Sequence, residues 1–140
     1  LWLNREGLNK GSFGGVRIVS AGATAVFAHN TVAANGLAGD NGIDCAFGDV
    51  TITTAIVVGN GAVGSAGEIS GCGGATPGSD IEGGLDTCGG DPTFTADYHL
   101  SPGSPCIDDA PDCAGMTDDV DGDPRPTGAA CDVGADEVVP

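Results

Sequence analysis

The sequence predicts an all-β chain arranged as a solenoid of stacked coils, and three observations lead there. The first is a repeat. AVFAHNTVAANG (25–36) laid over VTITTAIVVGNG (50–61) puts Phe27 on Ile52, Val32 on Val57 and Asn35 on Asn60, a shift of 25 residues. The second is the lack of any helical pattern: glycine or proline interrupts nearly every ten-residue window, and no apolar period of 3.6 persists. The third is the spacing of Val and Ile in short runs between glycine, asparagine and aspartate, the grammar of short strands and turns. A period of roughly 20–30 residues with short strands means units that stack, because one unit cannot bury its own apolar face. The alternative is a β-sandwich, whose short strands recur every 8–12 residues or so.

Taken in order, the N-terminal stretch LWLNREGLNKGSFGG carries Trp2, Arg5 and Lys10 but no amphipathic segment able to cap a stack. With no initiating methionine and no export leader, the chain reads as a mature or excised piece. The repeat region follows. The 25-residue shift relates Ile18 to Ile43 and Ile56 to Ile81, and leaves Ile69 one residue out of step. Phe27, Ile52, Ile56 and Ile81 are the expected core. Asn35 over Asn60 is expected to form an amide ladder at a turn. Coils are expected over 1–90 and a capping tail over 91–140, with Leu100 and Ile107 in the core and His99 on the surface or hydrogen-bonded.

Composition narrows the function classes. The net charge is −16, from 20 acids against 4 basic residues, which repels phosphate backbones and argues against a nucleic-acid partner. No apolar run is long enough to span a bilayer, so no membrane insertion is expected. Six cysteines, Cys45, Cys72, Cys88, Cys106, Cys113 and Cys131, make no CxxC pair, and His29 and His99 stand at no zinc spacing. An even count in an acidic, glycine-rich chain points to disulfides and an oxidising compartment. Six cysteines allow fifteen pairings; Cys113 with Cys131 is favoured because it closes a loop around an aspartate cluster. Buried free thiols are the alternative.

That cluster is TDDVDGDPRP (117–126). Asp119, Asp121 and Asp123 stand at i, i+2 and i+4, as in the first half of an EF-hand loop, and make a candidate calcium site. Two departures weigh against it: Gly122 precedes the third acid, and Ala130 occupies the twelfth position, where an EF-hand has glutamate. The competing reading is a turn whose aspartates accept backbone N–H bonds, with Arg125 pairing to one of them. An acid pair for hydrolysis is offered by Asp44 and Glu68, which a 25-residue coil brings near each other. An acidic solenoid supplies such a pair by chance. Basic residues for lyase chemistry are scarce: Arg5, Lys10, Arg17 and Arg125 are all there are, and three precede the repeat.

From about residue 25 onward the chain resembles bacterial right-handed parallel β-helix surface proteins of the choice-of-anchor Q or polymorphic outer-membrane-like kind. The residues that carry the resemblance are HNTVAAN, AIVVGN and SDIEG in the coils, then DPTF (91–94), DYHLSPGSPCID (97–108), DVDGDPRP (119–126) and DVGADE (132–137). The six cysteines and the small number of coils depart from that family. The resemblance implies a right-handed parallel β-helix closed by its tail, exported to the cell surface or beyond, and no demonstrated catalysis. The expected function is a non-enzymatic structural or adhesion module, calcium-stabilised and self-assembling. Its expected partners are its own coil ends, the rest of a longer β-helix, or surface glycans. A polysaccharide hydrolase or lyase, or a carbohydrate-binding module, is the alternative. Self-association is expected through the uncapped N-terminal end, with Trp2 and Arg5 taking part.

Overall fold

The computed structural model describes residues 13–19, 24–35, 41–47, 49–61, 68–75 and 77–139. Within them the chain is all-β, with strands that come in three successive sets. The first set is β1 (Phe13–Val19), β2 (Ala25–Ala28) and β3 (Thr31–Ala33); the second is β4 (Asn41–Phe47), β5 (Val50–Thr53) and β6 (Ile56–Val58); the third is β7 (Ile69–Ser70), β8 (Gly74–Ala75) and β9 (Asp80–Ile81). Each sheet takes one strand from each set, in the orders β1-β4-β7, β2-β5-β8 and β3-β6-β9, and every pairing is parallel.

The repeat is a repeat of bends. His29 and Thr54 stand at equivalent corners and both take positive φ, 47° and 48°. For a β-branched threonine that backbone is unusual. The corner holds it by hydrogen bonds: the His29 N–H donates to the Thr53 carbonyl at 3.3 Å and to Thr54 Oγ1 at 3.3 Å. Ala34 and Gly59 form the next such pair, at 54° and 65°. Before the first bends β2 pairs with β5, and between the first and the next β3 pairs with β6, both at the 25-residue shift, placing Phe27 beside Ile52 and Val32 beside Val57.

Outside that segment the shift changes. Val16, not Ile18, pairs with Ile43, and Ile18 faces Cys45, with irregular register on either side. Ile69 pairs with Ile43, so it is in step. Ile56 pairs with Asp80 and Val57 with Ile81, one residue off the expected column. The connections within and between sets differ in length, and the inward side chain, not the count of residues, sets the register.

One core lies among the three sheets, formed by Val32, Ile43, Cys45, Val50, Ile52, Ala55, Val57 and Ile81. Strand β5 shows the alternation that builds it: Val50 and Ile52 are buried, Thr51 and Thr53 half-buried. Ile52, Ile56 and Ile81 are buried as expected, whereas Phe27, on an end strand of its sheet, is only partly covered. Space inside is tight. A Cβ on Gly42 would lie 2.7 Å from Asn60 Nδ2, Glu68 Oε2 and Val57 Cγ1, so glycine there makes room for a buried polar column.

In that column the Asn35 N–H and Nδ2 both donate to Asn60 Oδ1 at 3.0 Å. Asn60 Nδ2 donates to the Val32 carbonyl at 2.7 Å and to Glu68 Oε2 at 2.8 Å, and the Asn60 N–H donates to Glu68 Oε1 at 2.9 Å. The expected amide ladder is present, and Glu68 is its third rung. Burial raises the Glu68 pKa, against the two hydrogen bonds from Asn60 that lower it.

The tail has isolated bridges in place of ladders, and a second core of Ile56, Cys88, Leu100, Cys106, Ala110, Cys131 and Val133. Leu100 is buried and Ile107 packs against this cluster half-buried. All six cysteines are paired: Cys45–Cys72, Cys88–Cys106 and Cys113–Cys131. Cys88–Cys106 crosses the expected boundary at residue 91. The tail also runs back along the flank. Gly134 N–H donates to the Thr54 carbonyl at 2.9 Å, and Ala135 N–H to Thr31 Oγ1 at 3.0 Å. The tail thus clasps the corners of the first two sets.

Candidate functional site

The loop at 118–124 is a turn held by one carboxylate. Asp118 and Pro124 form a bridge, and Gly122, at φ +88°, supplies a left-handed bend that disfavours a side chain. Asp119 Oδ1 accepts the N–H groups of Asp121 and Asp123, both at 2.8 Å, and Oδ2 accepts the Glu137 N–H at 3.0 Å. Partial burial acts to raise the Asp119 pKa, but these three amides outweigh it and the carboxyl is held below its usual range. Of the three candidate calcium ligands, Asp119 is therefore engaged by backbone, and Asp121 turns to His99, its Oδ2 lying 3.2 Å from Nδ1. Among the described residues the three are not one of the groups whose donor atoms converge within 4.8 Å.

Arg125 does not pair with the loop aspartates. Its guanidinium is buried, with Nη1 2.6 Å from His29 Nδ1 and Nη2 donating to the carbonyls of Gly134 at 3.0 Å and Asp136 at 2.8 Å. Glu137 Oε2 lies 3.9 Å from Nε, at the limit of an ion pair. Burial, then the nearby Arg125 charge, lower the His29 pKa, so its Nδ1 receives the Arg125 donor as a neutral ring. The buried His29 Nε2 and Arg125 Nε find no hydrogen-bond partner among the described residues. The carbonyls of Asp112 and Gly134 lie near enough to the His29 ring to oppose its shift without meeting Nε2 in hydrogen-bond geometry.

The remaining buried acids of the tail serve backbone amides in the same way. Asp132 accepts Asp108 N–H at 2.7 Å and Val138 N–H at 2.8 Å, and Glu137 accepts Thr127 N–H at 2.9 Å and Asp132 N–H at 3.0 Å. Asp136 Oδ2 accepts Leu100 N–H at 2.7 Å, while its Oδ1 lies 2.9 Å from His99 Nδ1. Burial raises the Asp132 pKa, and the two amides oppose it. The hydrogen bond to Asp136 raises that of His99. Asp108 turns the chain: φ is 58°, and Oδ1 accepts the Ala130 N–H. A segment with few ladders must satisfy its amides somehow, and carboxylates do it here.

A second feature went unread in the sequence. A groove of about 530 Å³ opens between the outer side of β3-β6-β9 and residues 82–98. Asp80, Asp86, Asp91, Phe94 and Tyr98 line it, the two rings 5.8 Å apart and tilted by 40°. Burial, and next the Asp86 charge, push the Asp80 pKa up to about 6, opposed by the Cys88 N–H. The available signal was the aspartate in SDIEG, which takes the place that Ile56 holds in the preceding set. The expected Asp44–Glu68 pair does not form an acid couple. Asp44 meets Arg17 at 3.4 Å, and Glu68 turns inward to Asn60. Trp2, Arg5 and Lys10 lie outside the described residues. Among the described residues no helix is long and apolar enough to cross a membrane. Comparison with family models, curated proteins and solved structures gives no match.

Proposed function

We propose that this chain is a non-enzymatic, exported module of a right-handed parallel β-helix, whose role is structural or adhesive. The observation that supports it most is the use of the buried charges. Asp119, Asp132, Glu137 and Arg125 each hold backbone groups of the tail, which leaves them little capacity for substrate chemistry. Three parallel sheets threaded one strand per set suit a helical stack, and three disulfides suit an oxidising compartment. The resemblance of the tail to bacterial surface β-helix proteins points the same way. Partners on this reading are further coils of a longer helix or other copies of the chain, joined end to end. Two measurements test it together. A panel of polysaccharides incubated with the protein should release no new reducing ends, and sedimentation at low salt should show self-association that added salt weakens. Turnover of any polysaccharide would overturn the reading.

The groove favours a second reading, carbohydrate recognition. Two aromatic rings offer apolar faces to a sugar, and Asp80, its pKa pushed up to about 6 by burial and then by the Asp86 charge, supplies a carboxyl able to hold a proton beside them. A glycan array probed with the native chain and with Tyr98→Ala tests it. Binding abolished by that substitution would establish the groove as the site.

A further inference from the structure

We propose that His99, Asp121 and Asp136 bind one divalent transition-metal ion of the borderline class, zinc foremost, through one imidazole nitrogen and two carboxylate oxygens. His99 Nδ1 lies 2.9 Å from Asp136 Oδ1 and 3.2 Å from Asp121 Oδ2, and the three donor atoms all lie within 4.8 Å of one another. A tetrahedral ion with bonds of about 2.0–2.1 Å spaces its ligand atoms roughly 3.3 Å apart, so both nitrogen–oxygen separations already approach the edges of such a polyhedron.

The surrounding chain positions each donor. Asp136 is fixed by the Leu100 N–H on Oδ2, which leaves Oδ1 directed at the imidazole. Asp121 is delivered by the turn that Asp119 closes, since Asp119 Oδ1 accepts the Asp121 N–H. The aspartate loop thus contributes one ligand to a site whose other two come from elsewhere in the tail. An imidazole nitrogen holds at most one proton, so a single N–H is shared between two carboxylates that both face it. An ion among the three would meet a lone pair from each. The side chains of His99 and Asp121 are 36% and 53% exposed, against 11% for Asp136, which leaves a solvent side for the remaining ligands.

The donor set selects the metal. One nitrogen with two carboxylate oxygens suits zinc and its neighbours, whereas calcium takes six to eight oxygens and gains little from an imidazole. An ion here would join residues 99, 121 and 136, bracing the turn against the end of the tail.

The full chain with its disulfides intact is titrated with zinc chloride by calorimetry at pH 7.5, and with cobalt(II) by visible absorption. The expected result is saturable one-to-one zinc binding, cobalt bands of low-coordinate geometry, and a melting temperature raised by zinc. His99→Gln and Asp121→Asn should each weaken zinc binding by about tenfold or more, and Asp123→Asn by less than about twofold. His99 and Asp121 lie towards the surface, so both variants should keep the native circular dichroism; Asp136→Asn is avoided because Asp136 also holds the Leu100 amide. Absence of saturable zinc binding would overturn the proposal. So would weak multisite binding equal in His99→Gln, the behaviour of an acidic surface gathering ions. A thermal response to calcium but not zinc, lost in Asp123→Asn, would place the cation in the aspartate loop and overturn it as well.

Discussion

Arg125 and His29 lie 96 residues apart in the chain and meet in the interior, Nη1 to Nδ1, at 2.6 Å. The contact joins the closing tail to the first corner of the strand sets. The arginine also donates to the carbonyls of Gly134 and Asp136, so one side chain fixes the path of the C-terminal segment against the sheets. The histidine serves as acceptor because burial and the adjacent guanidinium keep it neutral.

Removing this arginine should therefore loosen the tail more than its place among four aspartates suggests. Arg125→Ala strands two buried carbonyls and His29 Nδ1, at about 1–3 kcal/mol for each group that water does not reach. A loss of roughly 3 kcal/mol is expected in urea unfolding. Arg125→Lys should recover only part of it, because an ammonium lacks the planar fork that reaches two carbonyls. Limited proteolysis should cut Arg125→Ala between residues 117 and 139 first. Stability within about 0.5 kcal/mol of the parent would show that the buried guanidinium contributes nothing net.

The polar column is the next point of weakness. Asn60→Ala would remove the Oδ1 acceptor of the Asn35 N–H and the Nδ2 donor to Glu68 Oε2 in the core, a loss of roughly 2–4 kcal/mol. Asn35→Ala should cost less, because Asn60 still meets Glu68. Equal losses in the two variants would contradict the order of the rungs. Amide hydrogen exchange at residues 35 and 60 reports the same difference directly.

What was legible in the sequence follows from where the chain keeps its count. From β2 to Asn35 and from β5 to Asn60 the two sets have equal length, so the 25-residue shift found Phe27 beside Ile52 and the Asn35–Asn60 ladder. Connections of unequal length then moved Ile43 onto Val16 and Asp80 onto Ile56, which no single period can express. Glu68 escaped because the third rung changes residue type and follows Asn60 after only 8 residues. Arg125 was misassigned for a different reason. Its neighbours in sequence are acids, yet those acids are held by amides close by, and the space that takes the guanidinium exists only once the tail has packed on the first corner. The groove acids were hidden in the same way, since Asp80 and Asp86 become a couple through an antiparallel bridge.

The disulfides should matter most in the tail, where ladders are few. Cys113→Ser with Cys131→Ser opens a loop of sequence separation 18, and the chain-entropy argument gives a loss of about 3 kcal/mol. The apolar core of the strand sets should persist in that variant, since Cys113 and Cys131 belong to the second cluster. Thiol titration of the unreduced, denatured parent should find no free groups. Uniform loss of amide protection across both clusters, rather than loss centred on the tail, would show that the two fold as one unit.

The pH dependence of stability should carry the mark of Asp80. Its folded pKa is raised from 3.8 to about 6, first by burial and then by Asp86, so between these values the folded state binds the proton more tightly than the unfolded one. The sign follows from linkage: stability contributed by the protonated group is fully present below about pH 4 and is lost as pH rises through about 6. The rise from 3.8 to about 6 corresponds to a deficit of up to roughly 3 kcal/mol at neutral pH. Asp119 runs the other way, since its lowered pKa contributes stability at neutral pH that is lost in acid, so the parent profile mixes these two with Glu68, Asp132, His29 and His99. The difference between parent and Asp80→Asn separates them. The amide keeps an acceptor for the Cys88 N–H but cannot ionise, so the variant should match the parent near pH 4 and exceed it near pH 7.5. Asp86→Asn should move the parent's midpoint downward by removing the neighbouring charge, while leaving the part caused by burial. Equal profiles for parent and Asp80→Asn from pH 4 to 7.5 would mean that Asp80 ionises as an ordinary carboxyl, and the acid couple in the groove would lose its basis.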